Sequence, residues 1–360
     1  QDKPMGLDHV KYIKGDLSSP ARCVMACAGQ DYVIHLAAKA RIPESFINPD
    51  EYFESNVVGT RNILTAASAV GIRKFVYAGS SSVYGNNTAP NKPNHKPDPL
   101  NYYAMTKLFG EHLCKQYKIM FNLNYNILRF FTVYSENQPN TNTGGLMIGK
   151  FARLAKEGEP LTIHGDGEFK RDYIHVTDVA RALIASIESK VKNDTFNVGT
   201  GKSVSVNTVV EVLKTFVPDL TTINVEKPRG YAPETLADIS KTKNLLNWSP
   251  KISILPGLSM TFEEILVDKD HKILKTVCDA HILSEHSEKL AYDMIVIMKE
   301  SDAIGLAAPQ VGENTALMII GHEDNGYVVC INPTWEIAED SKDEEFLEGC
   351  VSFPDLELTI

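Results

Sequence analysis

Short apolar runs alternate with helix-length segments over roughly the first 250 residues, and this alternation restricts the possible fold more than any other feature. The runs "HVKYIKGD", "DYVIHLAA", "KFVYAGS" and "NYNILRFF" predict strands. The segments between them, "SSPARCVMACAG", "NPDEYFESNVVGTRNILTAASAVG" and "LNYYAMTKLFGEHLCKQYK", predict helices. Strands that alternate with such helices form βαβ units. The sequence therefore predicts an α/β fold with helices on both faces of a parallel sheet, and ligands at the carboxyl ends of its strands.

The charge of the chain is unevenly distributed. The net charge is -10, but residues 254–360 hold 22 of the 46 acidic residues and 6 of the 36 basic ones. That segment has a net charge of -16, which leaves +6 for residues 1–253. The asymmetry predicts two domains, residues 1–253 and 260–360, with Pro256 and Gly257 as punctuation between them. A single unit with one acidic surface is the alternative that charge alone leaves open.

Composition argues against several classes of protein. No basic cluster is interleaved with aromatic residues, so a nucleic-acid partner is not expected. No apolar run approaches the roughly 18 residues of a membrane span, and the polar start "QDKPMGLDHVKYIKGD" is unlike a signal peptide. A cytoplasmic location follows as the default expectation. The six cysteines form no paired CxxC motif, and Cys23 and Cys27, four residues apart, are expected to be core thiols.

Two short phrases, "SSSVYG" and "YYAMTK", carry candidate catalytic chemistry. Tyr103 and Lys107 lie four residues apart on a predicted helix and so share one face. A tyrosine hydroxyl has a pKa of about 10, and a neighbouring ammonium favours its phenolate form. Ser80, at the end of the strand "KFVYAGS", offers a hydroxyl that can hydrogen-bond a substrate oxygen. Although YxxxK alone is frequent by chance, this setting predicts proton abstraction from a sugar alcohol as hydride leaves.

Residues from about 10 to 253 resemble the extended short-chain dehydrogenase/reductase family, and most of all its nucleotide-sugar epimerases and dehydratases, such as UDP-glucuronate 4-epimerase. The matching phrases, in family order, include "VIHLAAKA", "ESNVVGTRNIL", "SSSVYG", "YYAMTK", "GDGEFKRDYIHVTDVARAL" and "FNVGTG". The resemblance implies that tightly bound NAD oxidises a hydroxyl of a UDP-sugar to a ketone. It implies roles for Tyr103 as the base, Lys107 as its electrostatic partner and ribose ligand, and Ser80 as the hydroxyl donor.

The resemblance also implies the contacts to the rest of the cofactor and to the substrate. It implies that Asp16 contacts the adenine, that Asn56 supports the cofactor, and that the cofactor is lined by Ala37, Ala38 and Lys39. It also implies that Arg171 and Arg229 bind the UDP diphosphate. For Arg171, a surface ion pair with Asp172 is the alternative. Association of two copies of the chain as a homodimer is a further hypothesis.

The family's first unit, a strand, a glycine-rich loop, a helix and a second strand, has no counterpart before "HVKYIKGD". In the family this unit holds the pyrophosphate and supplies the centre of the sheet. We therefore expect an incomplete Rossmann-type parallel sheet and impaired activity. We also expect an unpaired strand at residues 9–16 and an exposed apolar edge on the strand "DYVIHLAA".

Residues 260–360 resemble peptide deformylase, a metal-dependent hydrolase that removes formyl groups from nascent peptides. "GLAAPQ" and "EGCVS" match two of its three signature motifs. The resemblance implies a small α+β domain, Cys350 as a ligand of iron or zinc, and an oxyanion hole made by Gln310 and the Val351 N–H. The third motif, HExxH, is not in the sequence, and the last histidine is His322. A catalytic metal typically has three protein ligands, so a free thiol at Cys350 is the favoured alternative.

Three functional hypotheses remain open at this point. The first is an NAD-dependent nucleotide-sugar epimerase or dehydratase, the second is a peptide deformylase, and the third is an inactive fusion fragment. Binding of NAD would favour the first hypothesis, and a bound divalent metal the second.

Overall fold

The computed structural model describes residues 10–136, 138, 146–226, 230–266, 290–291, 293–295, 297–298, 305–311, 317–322 and 326–331. These residues divide into two compact units. One unit comprises residues 1–133, 163–206 and 224–251, and the other comprises residues 134–162, 207–223 and 252–360. The first unit contains the predicted Ser80, Tyr103 and Lys107.

The elements are numbered in chain order. The helices are α1 Pro20–Cys27, α2 Ile42–Ile47, α3 Pro49–Phe53, α4 Gly59–Val70, α5 Tyr102–Phe121, α6 Met147–Glu157, α7 Val176–Glu188, α8 Val206–Lys214, α9 Ser240–Leu246 and α10 Ile254–Leu266. The strands are β1 Tyr32–His35, β2 Lys74–Ser80, β3 Tyr125–Phe130, β4 Thr132–Tyr134, β5 Leu161–His164, β6 Lys170–Arg171, β7 Tyr173–His175, β8 Asp194–Val198, β9 Val204–Ser205, β10 Thr222–Val225, β11 Glu234–Thr235, β12 Gly305–Ala307, β13 Leu317–His322 and β14 Gly326–Ile331. Among the described helices, none is both long and apolar enough to cross a membrane.

A parallel sheet with the order β1-β2-β3-β8 forms the centre of the first unit. Its strands alternate their side chains between two helix-covered faces. On β2, Phe75 and Tyr77 enter the cluster that contains Leu64 of α4 and Cys114 of α5, while Val76 enters the cluster of Leu183 and Trp248. The predicted α/β fold is confirmed. Cys23 and Cys27 are buried in the first of these clusters, as predicted. 

The prediction of a strand at residues 9–16 is wrong for residues 10–16, the part that the structure describes. Residues 10–16 form no strand, because no neighbouring strand among the described residues pairs with them. Strand β1 is consequently an edge strand of the sheet. Ile34 on this strand is 39% exposed and Leu36, just after it, is 55% exposed, which confirms the expected apolar edge.

The predicted break in secondary structure at Pro256 and Gly257 is also wrong, because both residues lie near the start of helix α10. Proline is tolerated in the first turn of a helix, where its missing N–H has no helical partner. A Cβ at Gly257 would lie 2.1 Å from Tyr134 Oη, so the glycine permits close packing there. The predicted domain limits, 1–253 and 260–360, stay a prediction.

A further apolar cluster lies in the second unit. Met294 and Met298 have almost no exposed surface and pack with Leu306, Leu317 and Ile319. Strands β12, β13 and β14 form an antiparallel sheet in this unit. The two methionines are therefore core residues.

Lys74, the first residue of β2, caps the carboxyl end of helix α7. Its ammonium donates hydrogen bonds to the carbonyl oxygens of Ser186 at 2.7 Å, Ile187 at 3.1 Å and Ser189. The last carbonyls of a helix have no partner within the helix, and they attract a cation. Lys74 is only 2% exposed, so these bonds form out of contact with water. Burial lowers the pKa of this ammonium.

We predict that Lys74→Met will lower the free energy of unfolding by about 2 to 3 kcal/mol, because the carbonyls at the end of α7 lose a charged donor. Lys170→Met, at an exposed lysine of β6, is the matched control and should change stability by less than about 0.5 kcal/mol. Urea denaturation followed by circular dichroism measures both values. Equal effects of the two substitutions would contradict the role of Lys74.

Candidate functional site

Ser80 ends β2 at the carboxyl edge of the parallel sheet. Its side chain is 7% exposed, and its hydroxyl oxygen accepts a hydrogen bond from the Ser82 N–H at 3.2 Å. This bond caps the short 3-10 turn Ser81–Tyr84 that follows the strand. The turn thus holds the Ser80 hydroxyl at the end of the sheet where parallel α/β proteins bind ligands.

Helix α5 begins immediately before Tyr103. The Asn101 side chain accepts a hydrogen bond from the Ala104 N–H at 2.8 Å, which caps the helix, and donates one to the Gly230 carbonyl at 3.0 Å. Tyr103 and Lys107 are therefore one turn apart on the first half of a fixed helix. The predicted helix and the shared face of these two side chains are confirmed.

Lys107 is a buried cation that has no oxygen partner among the described residues. It is 4% exposed, and its ammonium lies 4.8 Å from the centroid of the Tyr77 ring. No acceptor in the described part of the chain hydrogen-bonds this ammonium. Burial lowers the pKa of Lys107 to about 8, and the charge of Glu111 opposes the change. Its three N–H donors are therefore available to a ligand.

Tyr103 differs from the expectation drawn from the sequence. Burial raises the pKa of its hydroxyl, and interaction with the Ser80 side chain lowers it by a smaller amount. The desolvation of the phenolate outweighs the favourable interactions, so Tyr103 holds its proton in this structure. A ligand that brings positive charge close to Tyr103 would shift the balance toward the phenolate.

Asn56 joins the turn after β1 to helix α5. Its side chain accepts a hydrogen bond from the Lys39 N–H at 2.8 Å and donates to the Lys39 carbonyl at 2.9 Å and to Thr106 Oγ1 at 2.9 Å. Asn56 lies in a π-helical turn, Glu54–Val58, between α3 and α4. The sequence pattern had predicted one continuous helix here. Such turns are rare and often lie at functional sites.

The other predicted cofactor residues lie after β1 and before α1. Ala37, Ala38 and Lys39 follow β1, with Ala37 and Lys39 exposed, and the Lys39 ammonium pairs with Glu51. Asp16 is exposed in the turn before α1, where its carboxylate accepts a hydrogen bond from the Ser18 N–H at 2.7 Å. That hydrogen bond lowers the pKa of Asp16.

Arg171 does not form the alternative ion pair with Asp172. Its guanidinium donates to the carbonyls of Lys170 at 2.7 Å and Ala232 at 2.9 Å. Asp172 is fully buried and instead accepts hydrogen bonds from Thr200 and from the N–H groups of the "VGTG" turn and of Ala237. Burial raises the pKa of Asp172 to about 6, and these hydrogen bonds oppose the change.

The side chains of three predicted site residues lie outside the part of the chain that the structure describes. Arg229 and Cys350 lie outside the described residues, and for Gln310 the structure describes the backbone of the turn Ala308–Val311. Within the described residues, no group of three potential metal ligands comes together.

The sequence interpretation missed two buried groups beside Lys107. Glu111 follows Lys107 by four residues, so the pattern YxxxKxxxE was a signal that could have identified it. His35, in "VIHLAA", is 4% exposed and its Nε2 lies 2.8 Å from Thr60 Oγ1. No spacing in the sequence connects His35 with α5, because the two are brought together only by the fold.

Comparisons with known proteins agree with this geometry. Residues 1–199 match the family model described as NAD dependent epimerase/dehydratase family, and residues 263–360 match that of polypeptide deformylase. A UDP-glucuronate 4-epimerase of Thermodesulfobacterium geofontis is 37% identical over 235 residues, which are 64% of this chain and 70% of the relative. A UDP-glucose 4-epimerase of Corynebacterium glutamicum is 29% identical over 74% of this chain and 86% of its own length.

Solved structures show the same similarity. The UDP-glucuronic acid 4-epimerase of Bacillus cereus, in complex with UDP-glucuronic acid and NAD, has a TM-score of 0.64 and 31% identity, and the match covers 68% of this chain and 77% of that one. A UDP-N-acetylglucosamine 4-epimerase of Methanobrevibacter ruminantium has a TM-score of 0.69 and 30% identity, over 73% and 84% of the two chains. Both similarities support a Rossmann-like α/β fold.

The buried imidazole next to the site predicts a pH dependence of stability. Burial lowers the pKa of His35 from 6.5 to about 3, with the charge of Lys107 adding to the effect. A group with a depressed pKa contributes its stability fully above the unfolded value and loses it as the pH falls. His35 should therefore make the free energy of unfolding decrease between pH 6.5 and about 3 by about 1.4 kcal/mol per pH unit.

His35→Gln should flatten this decrease, since the variant has no imidazole to protonate on unfolding. His112→Gln, at an exposed histidine of α5, should leave the slope as it is in the wild type. Denaturant titrations across this pH range measure the three slopes. Parallel slopes in all three proteins would show that His35 is not buried in its neutral form.

Proposed function

Because the chain belongs to the NAD dependent epimerase/dehydratase family, we propose that Ser80, Tyr103 and Lys107 are the residues that carry its chemistry. The function is that of an NAD-dependent nucleotide-sugar epimerase/dehydratase. One observation above all supports these three residues as the site. The Lys107 ammonium is buried against the ring of Tyr77 on β2, and no acceptor among the described residues binds it.

The residues present fit a dinucleotide cofactor. Lys107 has free donors for the ribose hydroxyls, and Asn56 fixes the backbone of Lys39 in the turn after β1. We propose that Ala37, Ala38 and Lys39 line the cofactor, and that Asp16, exposed before α1, contacts the adenine. The chemistry that NAD supplies is reversible acceptance of a hydride.

The roles of the protein's own groups follow from their environment. Ser80 would hydrogen-bond the sugar hydroxyl, and Tyr103 would take the proton of that hydroxyl. The pKa of Tyr103 is raised in this structure, so the base needs a nearby cation to become active. We propose that Lys107 supplies this cation, because it lies one turn after Tyr103 on the same face of α5. It would hold the ribose and stabilise the phenolate.

A nucleoside diphosphate sugar is the substrate class that we propose. The solved relatives from Bacillus cereus and Methanobrevibacter ruminantium are complexes with UDP-sugars. Arg171 and Arg229 are the proposed diphosphate ligands, because guanidinium groups suit paired phosphate oxygens. The bonds of Arg171 to carbonyl oxygens leave its charge without a paired carboxylate in the described residues. Analysis of the product sugar distinguishes an epimerase from a dehydratase.

We further propose a cytoplasmic homodimer. The apolar side chains of Met105 and Phe109 are 42% and 45% exposed on helix α5, where a second copy of the chain would cover them. Light scattering on the purified chain distinguishes a dimer from a monomer, and a strictly monomeric chain would contradict this part of the proposal.

Tyr103→Phe should lower turnover of a UDP-sugar at least about 100-fold, because it removes the acid–base hydroxyl. The matched control is Tyr102→Phe, at the preceding tyrosine of the same helix turn, which should stay within a few-fold of the wild type. Formation of the product sugar measures the effect. Similar activity of the two variants, or a wild-type chain without turnover on any UDP-sugar, would contradict the assignment.

The second candidate function concerns residues 260–360. The match of residues 263–360 to the polypeptide deformylase model favours it. We propose that this segment is deformylase-like, with Gln310 and the Val351 N–H forming the oxyanion hole and Cys350 serving as a metal ligand. Cys350 is one ligand where a catalytic iron or zinc typically takes three, and the sequence has no HExxH motif.

We therefore expect this chain of 360 residues to hold no stoichiometric iron or zinc and to leave formyl-methionyl peptides intact. Elemental analysis of the purified chain and a formate-release assay test this expectation. One metal ion per chain, lost in Cys350→Ala, would show that another ligand such as His322 completes the site and would restore the deformylase hypothesis.

A further inference from the structure

A buried carboxylate lies one helical turn beyond Lys107. Glu111 has no exposed surface, and it follows Lys107 by four residues on α5, on the face that carries Tyr103. The neighbouring strand β2 has a glycine at this level. A Cβ at Gly79 would lie 3.3 Å from Glu111 Oε1, so the absence of a side chain leaves room for the carboxylate.

Arg129 on β3 fixes the position of this carboxylate. Its Nε donates to Glu111 Oε1 at 2.8 Å and its Nη2 donates to Glu111 Oε2 at 2.7 Å. Its guanidinium lies 4.8 Å from the centroid of the Tyr84 ring, and Nη1 donates to the Pro93 carbonyl at 3.1 Å. A bidentate pair held from three sides leaves the carboxylate little freedom to turn.

The groups that face Lys107 differ in charge. Burial raises the pKa values of Tyr103, Tyr77 and Cys114 and lowers that of His35, so each of these groups is neutral near pH 7. Lys107 and Arg129 are cations. Among the residues that the structure describes around Lys107, Glu111 is the anion that favours the ammonium. The facing groups are Tyr103, Glu111 and Cys114 on α5, Tyr77 on β2, and His35 on β1.

We propose that Glu111, fixed by Arg129, is a positioning residue that keeps Lys107 in its ammonium form on the face of α5 that carries Tyr103. The inference rests on the proposed function, in which Lys107 acts as a cation. A buried ammonium without an anion nearby loses its proton easily, because burial disfavours the charged form. Glu111 touches neither substrate nor cofactor in this account and acts through Lys107.

The test compares Glu111→Gln, which removes the charge, with Glu111→Asp, which keeps it. Glu188→Gln, at an exposed glutamate of α7, is the charge-matched control. Two quantities are measured. The first is the titration of the Lys107 amine by NMR of isotope-labelled lysine, assigned with Lys107→Arg. The second is the pH profile of kcat/KM for a UDP-sugar.

Glu111→Gln should move the Lys107 titration and the alkaline limb of the profile down by about one pH unit or more. Glu111→Asp and Glu188→Gln should keep both near their wild-type positions. Arg129→Gln should move them in the opposite direction, because Lys107 then becomes the remaining cation beside Glu111. If Glu111→Gln does not fold, the opposite shift in Arg129→Gln tests the proposal instead.

A structural role alone would lower kcat/KM evenly at all pH values and leave the Lys107 titration unchanged, and that result would overturn the proposal. The NMR titration needs no cofactor and no turnover. A shifted titration in a wild-type background that turns over no UDP-sugar would therefore count against the proposed function and still support the role of Glu111.

Discussion

The side chain of Asn56 joins the turn after β1 to helix α5, and the geometry of the candidate site depends on it. It binds both backbone groups of Lys39 and the hydroxyl of Thr106, which precedes Lys107 in helix α5. Asn56 is 1% exposed, so each of these bonds replaces a bond to water in a buried place. Loss of one such partner typically costs about 1 to 3 kcal/mol. The turn after the edge strand and helix α5 are consequently held in one arrangement.

A second constraint is the number of charges that the unit buries. Lys107, Glu111 and Arg129 are each at most 4% exposed, although burial of an unpaired charge is costly. Arg129 and Glu111 satisfy one another, which leaves Lys107 with an aromatic ring and no oxygen partner in the described part of the chain. Stability alone would favour an apolar residue there. A retained buried ammonium with free donors is best explained by a ligand that binds to it.

Much of this site follows from the sequence, and the rest depends on long-range contacts. Tyr103, Lys107 and Glu111 share a face because of helical periodicity, which the sequence displays directly. The pairing of residues 32–35 with 74–77 follows from alternating strands and helices. The sequence did not reveal the π-helical turn around Asn56, since its side chain bonds depend on residues 17 and 50 positions away. It also could not reveal that burial outweighs the hydrogen bond to Ser80 in setting the pKa of Tyr103.

The structure of the chain with NAD and a UDP-sugar bound would test the account most directly. We predict that Lys107 Nζ lies within hydrogen-bonding distance of the ribose hydroxyls next to the nicotinamide, and that the hydroxyls of Ser80 and Tyr103 both contact the sugar hydroxyl that is oxidised. A complex in which Lys107 contacts neither ligand, or in which the sugar lies away from the end of β2, would contradict the assignment of these residues.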